Sequence, residues 1–412
     1  MSLSVAHFTS QLAGGAGIAA YRLHHALRNG GIDSHLFFGE GSSSDPKITP
    51  LFQNNTFIKR NQLAIKHKLK RSRESSSGYL TSPDWVAKTP LSKISFQLDV
   101  VNLHWVANWL DLPSFFESIP KKTPVVWSIH DMIPITGGCS YSNECNNFTS
   151  GCGNCPQLKK PSINDFSSRY FKIKKSLYQE TSLHFVGNSE WTTDQLRKSS
   201  LSASAASIRT IHLGINPADY SPISKTTARA ALRIPEKKFV IGFASVNLEE
   251  KRKGGGILHE VLKNLDCQDV VLVSMGGGSI PNELGHIETL SLGATSSKRL
   301  QSVFYSALDV FVMPSLVETF GLVALEAMSC ETPIISYTAG GLADVVSDGE
   351  TGLVEQNIGS VEGLAQMLLW MKNHQSERVA MGLAARQRVI IKFSDSLMAK
   401  RYAEMYQEIL SQ

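Results

Sequence analysis

The stretch that most constrains this chain runs from Asp309 to Leu353, DVFVMPSLVETFGLVALEAMSCETPIISYTAGGLADVVSDGETGL. Val310 to Met313 is a continuous apolar run closed by Pro314 and Ser315, which is how a strand buried in a parallel sheet reads. From Gly321 onward, Leu322, Leu325, Ala327 and Met328 recur at helical spacing, and Thr332-Pro333 ends that helix. Ile334 to Tyr337 is a second buried strand, and Gly340-Gly341 leads into a further helix start. Two strand–loop–helix units in succession, with acids and glycines in the loops, form an α/β nucleotide-site pattern.

Two acids carry the chemistry. Glu318 falls in the loop before the helix and Glu326 inside it, with seven residues between them. The helix start at Phe320, Gly321 and Leu322 offers unpaired N–H groups and a positive dipole end, which suits a diphosphate. Glu326 lies in an otherwise apolar segment, where a carboxylate is costly to bury unless hydroxyls or cations satisfy it. Ribose hydroxyls would do so; so would a core cation, and the spacing alone leaves both open.

The run PSLVETFGLVALEAMSCETPII resembles the Glu-x7-Glu signature of the retaining glycosyltransferases of family 4, which have the GT-B fold. The resemblance implies that Glu318 contacts a donor sugar and that Glu326 holds the ribose of its nucleotide. Most relatives carry Gly where Glu331 stands, at the end of the helix.

Length and composition agree with two soluble domains. The chain has 412 residues, 42% hydrophobic and 19% charged. Its first residues, MSLSVAHFTS, do not read as a signal peptide, and no uncharged apolar run approaches the roughly 20 residues needed to span a bilayer. A cytosolic protein is expected. The basic segment Phe57–Arg73 (FIKRNQLAIKHKLKRSR) contains no acid and places Ile58, Ile65 and Leu69 on one helical face. It reads either as a contact for anionic lipid or an anionic acceptor, or as a solvated helix. Nucleic acid is not an expected partner, because no aromatic stacking series accompanies the charge.

The N-terminal half opens with a strand over residues 4–8, a loop Ala13-Gly14-Gly15-Ala16-Gly17, and a helix ended by Gly30-Gly31. Ile18, Tyr21 and Ala26 or Leu27 are expected to form that helix's apolar face. The loop is not G-x-G-x-x-G and no ribose-binding acid follows, so a Rossmann dehydrogenase is disfavoured. The family resemblance instead places Gly15 and Gly17 near the donor phosphates. Residues 41–56 and 74–90 read as loops. Strands at 98–103 and 125–129 deliver His104 and His130-Asp131 to strand C-termini, where open α/β sheets put ligand-binding residues. VNLHW and VVWSIHDMIPITGGC resemble N-terminal signatures of the family, which implies that His130 approaches the donor sugar.

Next comes GGCSYSNECNNFTSGCGNCPQ, with Cys139, Cys145, Cys152 and Cys155. Four thiolates in one glycine-rich loop have the number and softness for a tetrahedral structural zinc, with disulfide pairing as the rival in an oxidising setting. The loop resembles that of a family 4 subset acting on bacterial polysaccharides, in which His often stands at the position of Ser140. A basic helix over 161–182, a strand over 183–187, the helix start NSEW at 188–191 and a strand over 208–213 complete the half.

In the second half a strand over 239–244 leads into SVNLEEKRKGGG. Lys253-Gly254 matches the family's Lys-Gly pair, whose Lys binds the donor diphosphate. Most relatives also have an Arg just after the strand; here Ala244-Ser245 stands there, and Arg252 is the available second cation. Strands at 270–275 and a segment at 290–295 follow, and a last amphipathic helix covers 394–410.

The expected architecture is α/β, GT-B: two Rossmann-like domains facing across a cleft. Residues 1–214 with helix 394–412 would form the acceptor domain and 215–393 the nucleotide-sugar domain. The implied reaction is sugar transfer with retention from a UDP- or GDP-sugar to a hydroxyl of a glycan, a lipid-linked or another acceptor. The chain has no Asp-x-Asp motif, and no catalytic metal is expected, since Lys253 and the helix N-terminus would neutralise the diphosphate. A sugar-nucleotide epimerase or hydrolase, or a silent nucleotide-sugar-binding protein, remains the alternative.

Overall fold

The computed structural model describes residues 3–51, 72, 81, 98–265, 269–279, 284 and 287–412. The basic segment 57–73 therefore lies outside the described residues, apart from Ser72, as does most of 74–90. The chain divides into two compact units, Met1–His212 with Met398–Gln412, and Leu213–Leu397.

The first unit is built on a parallel sheet of β1 (Ser4–Gln11), β2 (Asp33–Glu40), β3 (Ile48–Pro50), β4 (Val100–Leu103), β5 (Val125–Ile129), β6 (Leu183–Gly187) and β7 (Ser207–Thr210). Its strand order is β3-β2-β1-β4-β5-β6-β7. Strands β4, β5 and β6 are buried along their whole length, as their unbroken apolar runs require. β3 lies within the segment 41–56 expected as loop; at three residues on a sheet edge it is too short to leave a periodic signal.

Helix Gly14–Asn29 follows β1 and corrects one expectation. Ile18 and Tyr21 are 38% and 39% exposed, so they do not form its apolar face. The buried stripe is Gly17, Ala20, Leu23, Ala26 and Leu27. A β-carbon on Gly17 would stand 2.3 Å from the Gln11 carbonyl, so small residues here set how closely the helix approaches its own strand.

The second unit repeats the scheme with β8 (Phe239–Asn247), β9 (Val270–Gly277), β10 (Glu288–Ser291), β11 (Val310–Met313), β12 (Ile334–Tyr337) and β13 (Gly352–Glu355). The order is β10-β9-β8-β11-β12-β13, again with every pair parallel. Asp309, just before β11, is buried and bridges Arg229 at 2.6 Å, Lys225 at 2.9 Å and Arg378 at 3.4 Å. It ties two helices, Lys225–Leu232 and Gln375–Lys392, to the start of the central strand.

Helix Asp395–Leu410 ends the chain. From Met398 it belongs to the first unit, where the Tyr402 hydroxyl lies 2.7 Å from Ser128 Oγ and Asn102 Nδ2 donates to the Tyr406 hydroxyl at 2.6 Å.

In both sheets the strand order reverses once, between β1 and β4 and between β8 and β11. Ligands of open parallel sheets bind outside the carboxyl ends of the strands at such points. Gly15 and Gly17 follow β1, His104 follows β4, Lys253 follows β8 and Glu318 follows β11.

Candidate functional site

In the second unit the turn after β8 and the loop after β11 are fastened together by backbone. Leu316 N donates to Arg252 O at 2.9 Å. Gly254 has φ +73°, and a β-carbon there would lie 1.9 Å from the Pro314 carbonyl oxygen, so the turn packs this closely only with glycine. Lys253 Nζ consequently stands 2.5 Å from Glu318 Oε2. Arg252 Nη1 donates to Val317 O at 2.9 Å and lies 3.5 Å from the same carboxylate, so this cation does face the site. Burial pushes the Glu318 carboxyl up, but Lys253 and Arg252 outweigh it and hold the group below the ordinary carboxylate range. The Glu318 peptide is clamped as well: Gly341 N donates to its carbonyl at 2.8 Å, and Gly340, at φ +61°, leaves no room for a side chain against it.

Helix Leu322–Ser329 begins immediately beyond, with Gly321 at φ +103° as its N-cap and no side chain capping it. Phe320 is buried edge-to-face on Phe393, which orients the peptide entering the helix. Glu326, 6% exposed, stands apart from this ion pair. Its Oε1 lies 3.1 Å from the Tyr220 hydroxyl and its Oε2 accepts from the Tyr305 hydroxyl at 3.1 Å. Hydroxyls do satisfy this carboxylate, and the protein itself supplies two of them.

In the first unit the two histidines expected at strand ends are joined by a third. His104 Nδ1 lies 3.0 Å from His130 Nε2, and His104 Nε2 lies 3.0 Å from His7 Nδ1. His7 and His104 are buried and His130 is half-buried; burial lowers His7 to about 3 and His130 to about 4, and takes His104 well below its ordinary 6.5. They are neutral imidazoles at pH 7, and each bond needs one N–H and one lone pair, so the tautomer of one dictates the next. Asp131 accepts from Trp105 Nε1 at 2.8 Å and from Ile133 N at 2.9 Å, which anchors the peptide after His130. His7 was not a sequence candidate; its signal is a polar residue interrupting the short apolar run Val5–Phe8 of β1. Of the two candidate glycines after β1, Gly15 has open space where a side chain would be, whereas Gly17 is needed for packing.

The four loop cysteines also converge. Cys139, Cys145, Cys152 and Cys155 are free thiols lining one small cavity. Burial raises Cys139 to about 12 and Cys152 to about 11. Among the described residues, only His24, His25 and Asp45 place three metal-ligating atoms within 4.8 Å of one another. Arg28 already pairs with Asp45 there, a cation where a metal would have to sit.

This arrangement has relatives. The family described as Glycosyltransferase Family 4 matches residues 13–219, half of the chain, and the family described as Glycosyl transferases group 1 matches residues 224–388. The chain belongs to glycosyltransferase family 4. Among curated proteins, it is 40% identical over 109 residues to a D-inositol 3-phosphate glycosyltransferase of Paenarthrobacter aurescens, covering 25% of this chain and 26% of that protein. It is 28% identical over 200 residues to a protein so named from Kribbella flavida, covering 44% and 47%. The chain thus spans about a quarter to a half of the length of these curated relatives. Among solved structures, sucrose-phosphate synthase from Thermosynechococcus elongatus superposes with TM-score 0.71 at 18% identity, over 99% of each chain. Anabaena HepE in complex with UDP and glucose superposes with TM-score 0.67 at 16% identity, over 98% of this chain and 99% of that one. The shared fold is GT-B. For this family 4 chain, no helix among the described residues is long and apolar enough to cross a membrane.

Proposed function

We propose that this family 4 chain transfers a sugar, with retention at the anomeric carbon, from a UDP- or GDP-sugar to a hydroxyl of a glycan or lipid-linked acceptor. The observation that carries the reading is the Lys253–Glu318 pair with Arg252 beside it, ahead of an uncapped helix N-terminus. Two cations and a row of N–H groups at the end of β8 and β11 match a diphosphate in charge and shape. HepE, which shares the fold, is solved with UDP and with UDP-glucose.

The bond from the anomeric carbon to the diphosphate oxygen breaks, and a bond to the acceptor oxygen forms on the same face. The acceptor's proton leaves with the phosphate. Lys253 and Arg252 offset the charge that grows on the departing diphosphate, which is where preorganised cations lower a barrier most. No added divalent cation is needed for this step. Glu318, once exchanged off Lys253, accepts from a sugar hydroxyl. Glu326 takes the ribose through the capacity that Tyr220 and Tyr305 leave. His130 hydrogen-bonds the sugar as a neutral imidazole, and Gly15 lets backbone approach the phosphates. The protein acts in the cytoplasm, and the basic composition of residues 57–73 favours contact with anionic lipid or an anionic acceptor.

Nucleotide release is measured over a panel of UDP- and GDP-sugars, with and without acceptor extracts, for the wild type and Lys253→Met. Acceptor-dependent release abolished by the substitution is expected. Release at equal rate without acceptor would indicate a hydrolase, and binding without any release a silent binding protein.

A further inference from the structure

We propose that Cys139, Cys145, Cys152 and Cys155 bind a single zinc ion that orders the loop following His130. The four residues come from a segment with little regular structure: short 3-10 turns at Ile133–Ile135 and Asn147–Thr149 are its only helical pieces. Yet their side chains surround one cavity of about 20 Å³, room for a single ion or water.

The turn Cys152-Gly153-Asn154-Cys155 is shaped for chelation. Gly153 has φ +140° and Asn154 has φ +48°, so two successive left-handed residues fold the chain back and aim both sulfurs at the same space. Asp165 holds this knuckle from outside, accepting from Cys155 N at 2.8 Å and from Ser162 N at 3.3 Å. Gly137 N donates to Cys152 Sγ at 3.2 Å, the kind of second-layer contact that orients a thiolate toward a metal. Gly137 itself could be no other residue without displacing Ser167, whose carbonyl lies 2.3 Å from where a β-carbon would be.

Charge fits as well. Four thiolates on a divalent ion carry a net double negative charge. Lys174, buried behind the loop, donates to Ile133 O at 2.5 Å and Thr136 O at 2.9 Å, within electrostatic reach of Cys139 and Cys152. Lys174 projects from helix Phe166–Gln179, and Asp131 is within electrostatic reach of the same ammonium, so the positive charge beside the cysteines is held in place by the fold. No three of the four sulfurs are yet within 4.8 Å of one another. A zinc tetrahedron with bonds of about 2.3 Å needs them roughly 3.8 Å apart, so closure requires small side-chain rotations toward the cavity. Each Cys gives up its proton on ligation, and the metal is the only added species.

The test uses the full chain purified under reducing conditions without chelator. About one equivalent of zinc by elemental analysis is expected, with the four thiols shielded from a thiol reagent until a strong chelator is added. Replacement by cobalt(II) should give the intense sulfur-to-metal charge-transfer and visible bands of tetrahedral thiolate coordination. These bands should weaken in Cys145→Ser, which retains three ligands and keeps the fold testable. Less than a tenth of an equivalent after incubation with zinc(II), or four thiols that titrate freely beside added metal, would overturn the proposal. So would a mass showing two disulfides in protein from reducing cytosol. None of these readouts depends on transfer activity.

Discussion

Lys253 Nζ lies 2.5 Å from Glu318 Oε2, so the cation proposed to meet a diphosphate is paired with an acid. In the proposed reaction, nucleotide takes Lys253 away from Glu318, and the exchange leaves the carboxylate free for a sugar hydroxyl. Binding and activation of the acid are one event.

This arrangement predicts opposite effects at the two ends of the pair. Glu318→Gln removes the competitor and should tighten free nucleoside diphosphate several-fold while transfer falls by about 10²-fold or more. Lys253→Met should weaken the same nucleotide by about 1–3 kcal/mol, the usual worth of a charged hydrogen bond. Calorimetry with UDP and GDP reads both. Equal affinity in all three proteins would detach the pair from nucleotide binding.

Glu326 has a second role to separate from the first. Glu326→Ala leaves the Tyr220 and Tyr305 hydroxyls without this acceptor, which should cost about 1–3 kcal/mol of stability. If the carboxylate also holds ribose, nucleotide affinity drops by a similar amount at temperatures where the variant is folded. A lowered midpoint with unchanged nucleotide affinity would leave Glu326 a purely structural acid.

How far these features were legible depends on sequence distance. The loop acids, the Lys-Gly pair and the strand-end histidines each sit beside an apolar run that names its own strand. The partners that complete them do not: Tyr220 lies 106 residues before Glu326, and His7 lies 97 before His104. Such pairings are made by the parallel crossover topology, which leaves no periodic trace at either residue. The side on which the first helix packs was misread for a related reason. Its contact is made by Gly17, Ala20 and Leu23, and small residues look neutral in a hydrophobic pattern although they set the closest approach.

One departure from the family pattern acquires a physical reading. Glu331 has φ +62°, the left-handed conformation that ends a helix and that glycine adopts without cost. Relatives with Gly there avoid about 1 kcal/mol of strain, offset in part by the greater freedom of glycine in the unfolded chain. Glu331→Gly should raise the denaturation midpoint slightly or leave it unchanged, with nucleotide affinity unaltered. A loss of more than about 1 kcal/mol would show that the Glu331 side chain contributes a contact that outweighs the strain.

The histidine chain makes a coupling prediction. Because His104 bonds both His7 and His130, changing it should alter which ring nitrogen of His130 carries the proton. His104→Phe keeps the volume and removes both bonds. Transfer should fall through turnover while nucleotide affinity in the second unit is spared, and the nitrogen-15 shifts of His130 should change. Unaltered His130 shifts would mean its tautomer is set elsewhere.

The same buried imidazoles give acid sensitivity of defined sign. His7 at about 3, His24 at about 2, His130 at about 4 and His104 all titrate below the ordinary 6.5 because burial disfavours their charged forms. Between pH 6.5 and about 4 the unfolded chain binds these protons and the folded chain does not. Stability is therefore full above pH 6.5 and is lost as pH falls, by up to about 1.4 kcal/mol per pH unit for each histidine. Asp33 and Asp45, held below their ordinary 3.8, add a loss of the same sign only nearer pH 4 and below. Denaturant midpoints for the full chain should fall steeply from pH 6.5 to 5, where carboxylates still contribute little. His7→Leu should flatten that slope by about one proton. A midpoint independent of pH across this window would require the histidines to be protonated in the folded protein, against their burial.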